Sequence, residues 1–292
     1  MTQLFKRKTV KTRKNNQKPT MRSLIKFILL LSLFSASVIN AQNVSISPSR
    51  LYYKTAIGEY KTQEINITNS STSKQAFTVS FGDFEAAGIE GKSRFMKAGE
   101  SENSCSQWLS ATPSFFELEP GQTQKVQVLI SVPATPEANK VKWAAMQIKL
   151  AKEKKGSESG DKNSIGLGVT ETFQFVVHIF QTPPTVVNKS AELVSFKETT
   201  MPTDSTRVLA VRVKNNGETI LDCASYLEFT HLQSGAEQRQ KPFAFTLLPG
   251  ASREIKFNVG TNMTKGKYSV LGVVDFGSRE NVLAAEMEME VK

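Results

Sequence analysis

The sequence is poor in the side chains that most often carry enzymatic and metal chemistry. Its 292 residues include only two His and two Cys. His178 and His231 have no second His or Cys at a ligand-like spacing, so a His-based metal site is not expected. With only these two His, the sequence also offers little from which to build a Ser-His-Asp triad. The sequence therefore predicts a protein that is not an enzyme and that carries no cofactor and no metal.

Acidic residues are absent from the first part of the chain, and this part carries most of the net charge of +10. Nine of the 37 basic residues lie in residues 1–41, which contain no Asp or Glu, so 28 basic residues face 27 acidic ones in residues 42–292. Nucleic-acid-binding domains usually present a basic excess on the folded part. No nucleic-acid partner is therefore predicted.

Long hydrophobic runs are also lacking, apart from Phe27–Ile39, which follows two basic residues and precedes Ala41. A basic start, a short apolar run and a small residue at its end are typical of a secretion signal. We expect cleavage after Ala41 and a mature chain in the periplasm without stable membrane insertion; the alternative is a retained membrane anchor. Translation starts at Met1 or at Met21.

The two cysteines, Cys105 and Cys223, are 118 residues apart. Export would place them in an oxidising compartment, where disulfides persist. The spacing leaves two alternatives open, because sequence does not fix disulfide geometry. They are two buried, unpaired thiols, or they form a bridge between two domains.

Helical periodicity is scarce after the leader, whereas strict alternation of apolar and polar residues is common. Gln63–Thr68 and Val126–Val132 show it most clearly. Such alternation is typical of strands with one buried face. Further strands are predicted at Ala76–Phe81, Arg207–Val213, Ser225–Thr230, Glu254–Val259, Lys267–Asp275 and Leu283–Val291. The predicted fold class is all-β.

Two segments of the chain occur twice in similar form. Leu118–Val128 parallels Leu247–Phe257, each with a Pro-Gly turn before an alternating strand, and Ile65–Asn69 parallels Val211–Asn215. A repeat of this kind indicates a duplicated structural unit. We therefore expect two tandem immunoglobulin-like β-sandwiches after the signal peptide.

The boundary between the two sandwiches is predicted at Pro183-Pro184, where two missing amide donors stop a strand. The first domain then spans residues 42–184 and the second residues 185–292. The first is longer than a typical immunoglobulin-like domain of about 100 residues. The extra length is assigned to loops at residues 84–104 and 151–164.

The first predicted domain resembles the N-terminal domain of periplasmic pilus-assembly (PapD-like) chaperones. The residues that carry the resemblance are Ser45–Arg50, Ala111–Pro113, Leu118–Gly121 and the strand Phe173–Phe180 before Pro183. The second domain resembles bacterial immunoglobulin-like modules in general. The resemblance implies two immunoglobulin-like domains and a chaperone for exported subunits.

In that family, a basic residue on the first strand and a Lys near the end of the seventh strand bind the terminal carboxylate of a subunit. By this resemblance the client-binding residues are Arg50, Val169, Glu171, Phe173, Phe175 and His178. His178 departs from the pattern because imidazole is mostly uncharged near neutral pH. Glu171 also departs, because a carboxylate is costly in an apolar groove unless it is paired.

The implied mode of binding is strand addition, in which a partner segment pairs with an exposed sheet edge. The partner is then an exported fimbrial or surface subunit, or an extended peptide segment. The alternative is a non-catalytic scaffold or adhesion protein of the cell envelope. A chaperone releases its client during assembly, whereas a scaffold stays in the mature complex.

Overall fold

The predicted all-β architecture is confirmed by a computed structural model, which describes residues 44–151, 174–200, 206–260 and 263–292. The predicted leader, residues 1–41, lies outside the described residues. Strands make up almost all of the regular structure, and the exceptions are two short 3₁₀ turns at Ser106–Trp108 and Pro136–Asn139. No helix in the described ranges has the length and apolarity to cross a membrane.

The described residues of the first sandwich, 44–151 and 174–181, form ten strands. They are β1 Val44–Ser47, β2 Arg50–Tyr53, β3 Tyr60–Asn69, β4 Gln75–Ala87, β5 Lys92–Met96, β6 Leu109–Thr112, β7 Phe115–Leu118, β8 Thr123–Ser131, β9 Lys142–Ala151 and β10 Gln174–Gln181. One sheet has the order β1-β3-β8-β6, and the other has the order β2-β10-β9-β4-β5, with β7 also paired to β4.

In the second sandwich, the part of residues 191–291 that the structure describes forms eight strands. They are β11 Ala191–Glu198, β12 Val208–Asn215, β13 Leu221–His231, β14 Glu237–Arg239, β15 Phe243–Leu247, β16 Ser252–Asn258, β17 Gly266–Asp275 and β18 Leu283–Val291. Its sheets have the orders β11-β12-β16 and β14-β13-β17-β18, with β15 also paired to β13. The exact domain boundary at Pro183-Pro184 stays a prediction.

Each sandwich encloses its own core, as the alternation in the sequence requires. On β8, Val126, Val128 and Ile130 are fully buried while Lys125 and Gln127 between and beside them are exposed. On β13, Leu221, Cys223, Leu227 and other alternate residues are buried in the same way. Burying a large aliphatic side chain contributes about 1.5–3 kcal/mol, so these two inner faces dominate the stability of the fold.

A third apolar cluster joins the two sandwiches. Phe84, Trp143 and Phe180 of the first sandwich pack with Leu248 of the second. The indole Nε1 of Trp143 donates a hydrogen bond of 2.8 Å to the carbonyl of Phe84, which satisfies its buried polar atom. Both sandwiches lie in one compact unit, Gln42–Lys292. The third apolar cluster is part of the contact between them.

The repeated sequence segments correspond to a repeated loop structure. The side-chain amide of Asn69 donates hydrogen bonds to the carbonyls of Ser73 and Leu118, at 2.8 and 2.9 Å. The amide of Asn215 donates to the carbonyls of Thr219 and Leu247, at 2.8 and 3.0 Å. Both Asn side chains are fully buried. Each therefore satisfies one carbonyl of its own loop and the carbonyl at the end of a neighbouring strand.

The Pro-Gly turns repeat as well. Gly121 and Gly250 have φ angles of 78° and 74°, a region in which residues with a side chain are strained. In both turns the residue after Gly donates its backbone N–H to the residue before Pro, at 3.0 and 3.1 Å. Pro followed by Gly with positive φ forms a type II turn. In each copy the carbonyl of the last turn residue, Gln122 or Ala251, accepts a hydrogen bond from the backbone N–H of the buried Asn.

One prediction from the sequence is wrong. Residues 84–104 are not a simple loop, because β4 continues to Ala87 and turns into β5, with Phe84 paired to Phe95. Alternation is broken in this segment by three glycines and several charged residues, and this hid the strand. The resulting hairpin of β4 and β5 reaches the second sandwich, where the carbonyl of Ile89 accepts a hydrogen bond from the N–H of Glu254.

The two cysteines are unpaired and buried, one in the core of each sandwich. Of the two alternatives left open by the sequence, the unpaired thiols are therefore the one found. Burial raises the pKa of both thiols, that of Cys223 to about 12. Neither is a reactive thiolate at neutral pH.

Candidate functional site: the open edge of β10 and the adjoining cleft

Among the described residues, the N-terminal half of β10 has a sheet edge without a partner strand. Strand β10 pairs along its full length with antiparallel β9. On its other side, parallel β2 pairs only with residues 178–181. Within the ranges that the structure describes, no strand pairs with residues 174–177 on that side. The edge is open there because the chain before β2 crosses to the other sheet, where it forms β1.

The hydrogen-bonding groups of this edge can be assigned from the register. The N–H of His178 donates to the carbonyl of Ser49, at 3.2 Å, so His178 presents its backbone groups to the β2 side. Backbone groups alternate between the two sides of a strand. Gln174 and Val176 therefore direct their N–H and C=O groups to the open edge, whereas Phe175 and Val177 direct theirs to β9.

Two residues predicted for the site, Arg50 and His178, are brought together. They are register partners in the parallel pair of β2 and β10. Arg50 is exposed at the start of β2, and His178 is half-buried with its ring 4.8 Å from that of Phe84. Burial and the nearby positive charge of Arg50 lower the pKa of His178 below its ordinary value. His178 is consequently neutral at pH 7.

The low pKa of His178 has a measurable consequence for stability. The unfolded chain, with an ordinary His pKa of about 6.5, binds the proton more readily than the folded chain. The free energy of unfolding therefore suffers no penalty from His178 above about pH 6.5. It decreases as the pH falls from there towards the pKa of His178 in the folded protein. Between pH 7 and about pH 5.5, His178→Gln is expected to lose less unfolding free energy than the wild type.

NMR titration of the His178 ring checks the cause of the shift directly. Arg50→Gln removes the positive charge and is expected to raise the pKa of His178, although burial keeps it below 6.5. Arg239→Gln, which removes a charge paired with Glu228 elsewhere, serves as the control and is expected to change nothing. An ordinary His178 titration in the wild type contradicts this interpretation.

A cleft between the two sandwiches lies beside Arg50 and His178, where the open edge ends. Residues that line it include Arg50, Phe84, His178 and Phe180 from the first sandwich and Leu248 and Arg253 from the second. The aromatic and aliphatic side chains form its apolar part, and the two guanidinium groups supply positive charge. A cleft of this chemistry suits an apolar segment that ends in an anionic group.

The other predicted site residues lie elsewhere. Phe175 is half-buried on the opposite face of β10, where it packs against the core of the first sandwich. Val169, Glu171 and Phe173 lie outside the described residues. The client contacts expected for Val169, Glu171 and Phe173 therefore stay predictions, as does the expected cost of placing the Glu171 carboxylate in an apolar groove.

Two residues of this region were missed by sequence reasoning. Val176 shares the cleft face with His178 and packs beside the third apolar cluster, but the proposed register followed the other face of β10. Arg253 lies on β16, distant in sequence from β10. Nothing in the sequence around Arg253 marks it, because its position in the cleft depends on how the two sandwiches meet.

A scan against models of known protein families finds no match, and a search of curated protein sequences finds none either. Solved structures do match. The chain is similar to fimbrial chaperones. For a chaperone-tip adhesin complex of CFA/I fimbriae biogenesis, the TM-score is 0.44 and the identity 12%, over 84% of this chain and 98% of that chain.

Two further similar structures come from named bacteria. For the CsuC-CsuE chaperone-tip adhesion subunit pre-assembly complex from Acinetobacter baumannii, the TM-score is 0.42 and the identity 13%, over 82% of this chain and 97% of that chain. For the E. coli chaperone DraB, the TM-score is 0.41 and the identity 13%, over 84% of this chain and 98% of that chain.

Proposed function

We propose that the protein is an exported binding protein of the periplasm that captures an extended segment of another exported polypeptide by strand addition to β10. The observation that carries the proposal is the open backbone edge at residues 174–177, which ends at Arg50. A free sheet edge offers unpaired N–H and C=O groups to a partner strand. The captured segment would supply the hydrogen bonds that the edge lacks.

The position of Arg50 favours one orientation of the segment. Strand β2 occupies the β10 edge from His178 onward and begins at Arg50. A segment that follows the edge from Gln174 to Val177 would meet Arg50 at its leading end. A guanidinium binds a carboxylate through forked hydrogen bonds. The segment would therefore run parallel to β10 and place its carboxyl terminus beside Arg50.

The client proposed from this chemistry is an exported subunit, such as a fimbrial or surface subunit, with an apolar C-terminal strand. Strand addition and apolar contact suit a chaperone that protects an incomplete sheet from aggregation. The work proposed for the cleft is recognition, because apolar side chains and two guanidinium groups dominate the lining that the structure describes. Release of the client into an assembly would distinguish this chaperone from a permanent scaffold.

Binding of a designed peptide tests the proposal. The probe peptide has roughly eight residues, the length of an ordinary strand. It alternates Val and Thr, carries Lys at its N-terminus for solubility and ends in a free carboxylate. The matched peptide replaces alternate Thr residues with Pro, which lacks the backbone donor.

Fluorescence anisotropy with labelled peptides is the measurement. We expect the probe peptide to bind at least about tenfold more tightly than the proline-containing peptide, because lost strand hydrogen bonds cost roughly 1–3 kcal/mol. Equal binding of the two peptides, or binding of neither, contradicts capture by strand addition.

A further inference from the structure

The cleft beside the β10 edge has an unusual charge balance. Arg50, Lys92 and Arg253 line it, and its described lining contains no Asp or Glu. Lys92 is exposed and forms an ion pair of 2.7 Å with Glu90, so its charge is already matched. Among the described residues, neither Arg50 nor Arg253 lies within ion-pairing distance of a carboxylate. Two unmatched guanidinium groups therefore belong to one cleft.

Arg253 packs against an aromatic ring of its own sandwich and against the hairpin of β4 and β5. Its guanidinium carbon lies 5.2 Å from the centre of the Phe245 ring on β15. The adjacent N–H of Glu254 bonds the carbonyl of Ile89 at the tip of the hairpin of β4 and β5, at 2.7 Å. A methyl group placed at Gly91 in that hairpin would overlap the guanidinium. The hairpin of the first sandwich thus packs on an arginine of the second.

Two features of this arrangement disfavour the charged form of Arg253 in the protein without a ligand. Burial, together with the positive charge of Arg50, lowers the pKa of Arg253 from its ordinary value. Contact with Phe245 stabilises a guanidinium by about 0.5–2 kcal/mol, but it supplies no counter-charge. A half-buried cation next to a second cation is stabilised by an anion that reaches both.

His178 does not supply that second positive charge, because it is neutral at pH 7. We propose that Arg253 is the second cation of the carboxylate site and that the site is built from both sandwiches, with Arg50 from β2 and Arg253 from β16. This inference rests on the proposed function, since its ligand is the terminal carboxylate of the captured segment. The segment then bridges the two sandwiches by its last residue.

The ligand class follows from the donors. Two guanidinium groups present forked N–H donors that match the two oxygens of one carboxylate. The apolar residues Phe84, Phe180 and Leu248 line the same cleft and accommodate an uncharged last side chain. The site therefore takes the α-carboxylate of an apolar C-terminus.

The experiment compares the probe peptide with its C-terminal amide, which keeps every strand hydrogen bond and loses only the charge. In the wild type we expect the free carboxylate to bind about thirtyfold more tightly than the amide, the factor for charge-assisted hydrogen bonds. In Arg253→Gln the preference is expected to fall to about threefold, mainly through weaker binding of the carboxylate form.

Three further variants complete the design. Arg50→Gln is expected to lower the preference to about threefold, as Arg253→Gln does. Arg253→Lys is expected to keep an intermediate preference because the charge remains while the fork is lost. Arg239→Gln removes the same charge from the second sandwich outside the cleft and is expected to keep the wild-type preference. Thermal unfolding shows that each variant is folded.

The outcomes separate this inference from the proposed function. A wild-type preference retained in Arg253→Gln overturns the assignment of Arg253 and leaves strand capture intact. Equal binding of the carboxylate and the amide by the wild type overturns the carboxylate site alone. If neither form binds, capture by strand addition fails, and the inference fails with it.

Discussion

Val176→Pro is expected to abolish measurable binding of the probe peptide while the protein stays folded. Proline lacks the N–H that Val176 presents to the open edge, and its ring occupies the space of the incoming backbone. A segment that still bound would leave a carbonyl unpaired at a cost of about 1–3 kcal/mol, in addition to the steric clash. Together these effects correspond to a loss of roughly 100-fold or more in affinity.

The matched control is Val177→Pro, one residue further along the same strand. The N–H of Val177 is directed to β9, where Val177 pairs with Met146, and its side chain is fully buried. Proline at this position is expected to lower the unfolding free energy by about 3 kcal/mol or more. For Val176→Pro we expect about 1 kcal/mol, because edge positions tolerate proline. Undiminished peptide binding by folded Val176→Pro would show that the segment binds elsewhere.

Asn69→Asp is expected to destabilise the first sandwich by about 3–5 kcal/mol, a loss comparable to that for an unmatched buried charge. The change replaces an amide that donates to Ser73 and Leu118 with an oxygen that faces the same two carbonyls. One carboxylate oxygen keeps the hydrogen bonds donated by the N–H and the hydroxyl of Ser71, whereas the other faces two carbonyls and has no donor. The loss is expected to shrink at low pH, where the acid is neutral and recovers one donor.

Urea unfolding of Asn69→Asp and of Asn66→Asp measures this effect. Asn66 lies on the same strand, but its side chain is half-exposed on the outer face. Surface substitutions of this kind usually change stability by less than about 0.5 kcal/mol. Similar stability losses for the two variants would show that the buried amide of Asn69 does not hold the loop together.

Much of the fold is encoded locally and is therefore visible in the sequence. The alternation at Val126–Val132 and Leu283–Val291 follows from burial of one strand face, and both segments form the strands β8 and β18. The repeated Pro-Gly turns and Asn residues have a direct structural cause, since each Asn satisfies loop carbonyls in its own sandwich. Such features need only a few neighbouring residues to be recognised.

The candidate site depends on contacts between distant segments and was only partly predictable. The resemblance to pilus-assembly chaperones placed Arg50 and His178 at one site, and the two residues are register partners on β2 and β10. Arg253 joins them because the hairpin of β4 and β5 packs on β16, an arrangement set by tertiary packing. The same hairpin was predicted to be a loop, so its contact with the second sandwich had no signal in the sequence.

Amide hydrogen exchange with and without the probe peptide tests capture at the β10 edge most directly. The N–H groups of Phe175 and Val177 face β9 and serve as internal references that the peptide should not affect. We predict that saturating peptide slows exchange at Val176 and Gln174 selectively. Bound peptide with unchanged exchange at these two amides, or slow exchange there before peptide is added, would contradict the account.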